Sequence, residues 1–167
     1  MKTGDVALAM IAYNAGDPRR VNHLLKVHSF ARIIGEREAL DADTQEILEI
    51  AALTHDIGIR NSERKYGNCN GEHQQMEGPP EARLLLTSLG AEERVIERVC
   101  WLIAHHHTYR DIQGMDYQIL IEADFLVNAY EDELDIDAIR TVREKLFRTR
   151  AGTQILDLLY LSGGNPR

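Results

Sequence analysis

Histidine and aspartate stand side by side at positions 55 and 56, where the apolar run ILEIAAL gives way to LTHDIGIR. Both side chains are good ligands for a divalent cation, and either can move a proton. Taken alone, the pair also reads as a helix end, with His55 near the negative pole of the helix dipole and Gly58 stopping the helix. Side chains of the same chemistry recur along the chain: His23 in NHLLKV, the run His105, His106 and His107 in LIAHHHTY, and Asp124 in ILIEADFLVNAY. Asp124 is the most informative, because Ile119, Leu120, Ile121, Phe125, Leu126 and Val127 surround it in sequence. A carboxylate in such company is costly unless a cation, a partner or a helix cap takes up its charge. A core histidine, a cap or a buried ion pair explains each residue singly. A metal centre explains them together, since each falls on a different apolar segment.

Such residues need helices to hold them. GDVALAMIAYNAG (4–16) has helical apolar spacing and ends at Gly16, after which Asp17-Pro18 reads as a cap followed by proline in the first turn. PRRVNHLLKVHSFARIIGERE places Val21, Leu24, Leu25, Val27, Phe30, Ala31 and Ile34 on one amphipathic pattern, and DADTQEILEIAALTHD starts with cap-like residues. The polar, glycine-rich stretch IGIRNSERKYGNCNGEHQQMEGPP (57–80) predicts a long functional loop. Helical pattern resumes in EARLLLTSLG, AEERVIERVCWLIAHHH and DYQILIEADFLVNAYED, then in helices over 135–161, before an irregular SGGNPR. With no alternating strand pattern and no internal repeat, the expected fold class is all-α: a single-domain helical bundle over 1–167.

Composition narrows the function. A chain of 167 residues can bury a core without disulfides or a structural metal. Its two cysteines, Cys69 and Cys100, make neither a disulfide framework nor a zinc-finger spacing. No segment is long and apolar enough to span a membrane and the start does not read as a signal peptide, so the expected compartment is the cytoplasm. A net charge of −8 argues against binding a nucleic-acid polymer, which needs lysine and arginine to neutralise phosphates. It leaves room for a small anionic substrate held by a local metal, and it leaves self-association open.

The elements HLLKVHSFA, AALTHDIG and EADFL, in that order, resemble the HD superfamily of metal-dependent phosphohydrolases. The signature of that family is a histidine, an adjacent His-Asp pair and a distant aspartate on helices of one bundle. The resemblance covers roughly residues 17–130, and looks like a compact bacterial subgroup of uncharacterised predicted hydrolases. It implies that His23, His55, Asp56 and Asp124 bind the metal, that Asp56 is also catalytic, and that a metal-activated water attacks the phosphorus of a nucleotide or other small phosphate ester. Two imidazoles and two carboxylates suit iron, manganese, cobalt, nickel or zinc better than calcium. His28, five residues beyond His23, points elsewhere on the helix and is not expected among the ligands.

Two-metal members of the family add a histidine four residues before the next glycine, a position held by Gln74 here. Glutamine is a poor ligand, so a second metal would draw on His73 or Glu77. Another family histidine is met by His106, 18 residues before Asp124, with His105 and His107 beside it. His106 is expected to act on a second metal or on the substrate phosphate. The expectation is therefore one metal, with a second within reach. Arg60, Lys65 and Arg110, with Arg64, are the cations expected to hold substrate phosphate. Two readings from other classes stand beside this one: a di-iron oxygenase of the same fold, which needs a complete two-metal set, and a non-enzymatic metal- or nucleotide-binding regulator, which needs no open metal position.

Overall fold

Five of the helices begin where the sequence supplies a side-chain cap. The computed structural model describes residues 1–162. It contains α1 (Thr3–Tyr13), α2 (Pro18–Arg37), α3 (Ala42–Thr54), α4 (Ile59–Tyr66), α5 (Gly71–Ser88), α6 (Glu93–Ile103), α7 (Met115–Glu131), α8 (Ile136–Leu146) and α9 (Arg150–Leu156), closed by a π-helical turn, Asp157–Leu161. Asp17, Asp41, Asn70, Asp135 and Thr149 each accept a hydrogen bond from the backbone N–H three residues on, satisfying a donor that the first helical turn leaves free. Pro18 occupies the first turn of α2, as its missing N–H allows. No strand occurs among the described residues, so the fold is all-α as expected.

One core serves all the elements that carry the chemistry. Val27, Ala31 and Ile34 of α2, Leu48, Ile50 and Ala51 of α3, Val99 and Leu102 of α6, and Leu120, Ala123 and Val127 of α7 are all buried in the same cluster. Helices α2, α3 and α7 pack against one another, and α6 lies on α3. α7 is buried around most of its circumference, so a polar side chain on its inward faces needs a partner there. No helix of the described residues is long and apolar enough to cross a membrane.

The stretch 57–80 is not a loop. It forms α4 and the first half of α5. Periodicity missed α4 because the residues it buries are Asn61 and Ser62 rather than apolar ones. It missed the start of α5 because that helix runs through Pro79-Pro80, which ordinarily removes hydrogen bonds and breaks a helix. α5 is held instead by packing on α6, where the Cys100 thiol donates to Pro79 O at 3.3 Å. Gly78, expected to open a helix, lies in the middle of α5 and meets Gly58. A Cβ on Gly58 would sit 2.6 Å from both Gln74 O and Gly78 N, so the chain leaving α3 lies backbone to backbone on α5. Gly58 has φ −71°, which any residue adopts; glycine is required there for closeness.

The C-terminal helical pattern divides at Phe147 to Thr149. The buried Glu122 carboxylate of α7 accepts hydrogen bonds from Arg148 N (2.7 Å), Thr149 N (3.0 Å) and the Thr149 hydroxyl. Three donors drawn to one buried acid end α8 and fix where α9 starts. The expected irregular tail lies outside the described residues beyond Ser162.

Candidate metal centre

His23 comes from the second turn of α2, His55 and Asp56 from the end of α3, and Asp124 from the middle of α7. The packing of these three helices brings the four side chains together. His23 Nε2 lies 3.3 Å from His55 Nε2, 3.3 Å from Asp124 Oδ1 and 3.5 Å from Asp56 Oδ2. His55 Nε2 lies 3.5 Å from Asp56 Oδ1 and from Asp124 Oδ1. Donors bound at about 2.0–2.2 Å around one ion sit roughly 3–3.6 Å from each other, and these separations fall in that range.

The hydrogen bonds on the far side of each ring decide which nitrogen is free. His23 Nδ1 faces Glu131 Oε2 at 2.9 Å and His55 Nδ1 faces Ala52 O at 3.0 Å. Both partners are oxygen acceptors, so Nδ1 carries the hydrogen and the lone pair is on Nε2. Two Nε2 lone pairs then face each other and two carboxylates, an arrangement that repels unless a cation or a proton enters. In the absence of metal, protons take that place. Burial alone would lower His55, but Asp56 and Asp124 outweigh it and push it up to about 9. His23 is also raised against its burial, chiefly by its hydrogen bond to Asp124. Burial would raise Asp56 and Asp124, yet the facing histidines hold both carboxyls well below the usual range. This donor set fits a divalent transition metal.

Sequence reasoning missed Glu131 and Asn128. Both lie on the Asp124 face of α7, at the helical spacings of seven and four residues that could have revealed them. Asn128 donates to Asp124 Oδ1 at 2.9 Å, and Glu131 pairs with both Lys26 and His23.

A second group borders the first. His106 Nδ1 is held by Ile103 O at 2.7 Å, while its buried Nε2 has no hydrogen-bond partner and lies 3.7 Å from Asp56 Oδ1. Its neighbour is His107, whose ring centroid is 4.0 Å away. Donor atoms of Asp56, His106 and His107 lie within 4.8 Å of one another. Burial first, then the adjacent His106, lowers His107 to about 4, so it remains neutral. His105, expected beside His106, turns away: it stacks on Trp101 and its Nδ1 bonds Trp101 O at 2.6 Å.

The proposed substitutes for Gln74 are engaged elsewhere. His73 stacks on Tyr66 and bonds Asn68 Oδ1 at 2.8 Å; one residue along a helix is a turn of about 100°, which carries it off the Gln74 face. Glu77 is taken by Lys65 at 2.5 Å and the Tyr66 hydroxyl at 3.0 Å. His28 pairs with Glu49 at 3.1 Å, apart from the centre as expected.

An open cleft of about 430 Å³ leads to His23, Asp56, Asp124 and His107. Its cations are Arg19 and Arg20, from the start of α2, rather than those read from the sequence. Arg20 is held by Glu63 at 3.1 Å, and Arg19 is exposed. Arg60 instead donates to Tyr13 O at 3.0 Å and lies over the Tyr13 ring, Lys65 serves Glu77, and exposed Arg110 does not line the cleft.

Comparison with protein families matches residues 20–149 to the HD domain. No curated protein matches. Among solved structures, a predicted HD superfamily hydrolase from an uncultured Thermotogales bacterium is similar, with a TM-score of 0.65 and 25% identity over 93% of this chain and 83% of that one. The family match takes in all four clustered residues and continues through α8. The chain belongs to the HD-domain family.

Proposed function

We propose that the chain is a metal-dependent phosphohydrolase of small phosphate esters, nucleotides among them, with His23, His55, Asp56 and Asp124 holding the metal. The observation that carries this reading is the opposition of the two Nε2 atoms at 3.3 Å beside two carboxylates, with both Nδ1 atoms already engaged by oxygen. Membership of the HD-domain family and the likeness to a predicted HD superfamily hydrolase support hydrolysis as the reaction class.

A bound divalent cation supplies an acidified water and neutralises charge on the phosphoryl oxygens. The chain supplies the rest. Glu131 and Ala52 O fix the two histidine tautomers. Asp56, kept ionised by its histidine neighbours, accepts a hydrogen bond from water entering the cleft and orients it. His106 offers a buried Nε2 lone pair as a proton acceptor, and with that proton it can donate to a phosphoryl oxygen. Arg19 and Arg20 place two guanidiniums where a substrate phosphate enters. The cleft volume suits a small ligand. The residues that line it are mostly charged or polar, as a phosphate-bearing ligand requires.

The test strips the purified chain of metal and reloads it with manganese, cobalt, nickel or zinc. Phosphate release is then followed from nucleotides and simple phosphate monoesters. Release should require metal and be abolished in Asp56→Ala, whose helical circular dichroism should persist. Release that survives chelation, or that Asp56→Ala leaves at the wild-type rate, would contradict the proposal.

A further inference from the structure

We propose that His107 selects the alcohol part of the substrate: its free ring nitrogen takes a hydrogen bond from a hydroxyl beside the ester, so the preferred substrates are phosphate monoesters of polyols, sugars included. The inference deepens the function proposed above and rests on it.

The cleft has two chemically different walls, and Asp56 stands between them, with Oδ2 3.5 Å from His23 and Oδ1 3.7 Å from His106. The His23 wall is α2 packed on α7, and it brings both guanidiniums, Arg19 and Arg20. The other is built by α4, α5 and the turn after α6. It brings Ile59, Cys69, Gln74 and His107, none of them a carboxylate or a guanidinium. Phosphate oxygens go to the metal and the guanidiniums, which leaves the alcohol of the ester for the uncharged wall.

On that wall His107 is held in one orientation. A Cβ on Gly71 would lie 2.8–2.9 Å from the His107 ring and Cβ, so glycine at the start of α5 makes room for the imidazole. Gln75 Oε1 accepts from His107 N at 3.0 Å and from the Thr108 hydroxyl at 3.1 Å, which fixes the turn. Gln74 Nε2 donates to Cys69 O, so its Oε1 is left to accept from His107 Nε2 at 3.1 Å. The ring hydrogen is then on Nε2 and the lone pair on Nδ1. A solvated histidine at a helix end has no need of three braces.

No hydrogen bond among the described residues occupies His107 Nδ1, and unlike His106 Nε2 it is not shut away from water. An open acceptor with no donor of its own reads a donor on the ligand. Donor atoms of His107 and Asp56 lie within 4.8 Å of each other, so a ligand with its phosphate at the metal meets His107 with the first carbons of its alcohol. A hydroxyl there supplies the missing hydrogen.

Glycerol 1-phosphate and propyl phosphate test the assignment, since both carry a three-carbon chain and they differ in hydroxyls. On the metal-loaded full chain, kcat/KM should favour glycerol 1-phosphate by about 10- to 100-fold, the span expected when the analogue leaves an acceptor unpaired. His107→Phe keeps a ring without the acceptor. It should bring the two values together by slowing glycerol 1-phosphate, with propyl phosphate turnover and helical circular dichroism retained. Gln74→Leu removes the brace that sets the tautomer, and should lower the preference while leaving metal content unchanged. Equal kcat/KM for the two esters in wild type, or a preference that His107→Phe leaves intact, would overturn the inference alone. So would phosphate release from nucleotides with neither probe turned over. A chain that releases phosphate from none of these esters would overturn the proposed function with it.

Discussion

Glu131 Oε2 lies 2.9 Å from His23 Nδ1, and the same helix face that brings it there also carries Asp124 to within 3.3 Å of His23 Nε2. α7 thus grips both edges of one imidazole, offering a metal donor on one side and the tautomer-setting carboxylate on the other. Carboxylates placed this way strengthen a histidine ligand, and losing one typically costs 10- to 100-fold in metal affinity. Glu131→Ala should raise the dissociation constant for the first ion by about that factor, measured by calorimetry, with helicity unchanged. Wild-type affinity would show that Glu131 serves Lys26 only.

The metal-free fold should respond to alkali. His55 is raised from its ordinary 6.5 to about 9. A raised histidine contributes its full stabilisation below the unfolded value, and loses it as pH climbs through the folded one. Asp56 and Asp124 are depressed, so their contribution is present at neutral pH and is lost only in acid. The melting temperature of the chelator-treated chain should therefore fall between pH 6.5 and about 9. The metal-loaded chain should lack this fall, because binding uses the deprotonated Nε2. Thermal melts followed by circular dichroism read both, and a flat metal-free profile would contradict the pairing.

Gly58→Ala tests how closely α5 must approach the His-Asp pair. Its Cβ would meet backbone atoms of Gln74 and Gly78 at 2.6 Å, which no side-chain rotation relieves. Overpacking of this kind costs typically about 1–3 kcal/mol, and chemical denaturation should show a loss in or above that range. A neutral substitution would mean that α5 moves freely from the end of α3.

Substrate contacts separate Arg19 from Arg60. Arg19 lines the cleft, whereas Arg60 is spent on Tyr13. Arg19→Ala should raise KM several-fold on a phosphate ester, and Arg60→Ala should leave KM alone. The reverse pattern would move the substrate to another face.

The sequence made the main scaffold and the four clustered residues legible because both depend on local pattern. α2 and α3 show apolar spacing with acidic caps, and His23, the His-Asp pair and Asp124 follow the order of a known motif. What it hid depends on tertiary context. α4 buries polar residues, so no apolar stripe announces it, and Pro79-Pro80 masks a helix whose continuity comes from packing on α6. The choice among His105, His106 and His107 depends on rings that stack on Trp101 or bond Gln74 across the fold, and no spacing within the run distinguishes them. Arg19 and Arg20 reach the cleft because α2 begins at its edge.

The central claim is that four side chains from three helices hold one ion. Its most direct test is metal content after loading wild type, His55→Ala and Asp124→Ala with cobalt and desalting. Wild type should retain a tightly bound ion, and each variant should lose it while keeping its helical circular dichroism. Variants that retain the wild-type content would contradict the claim.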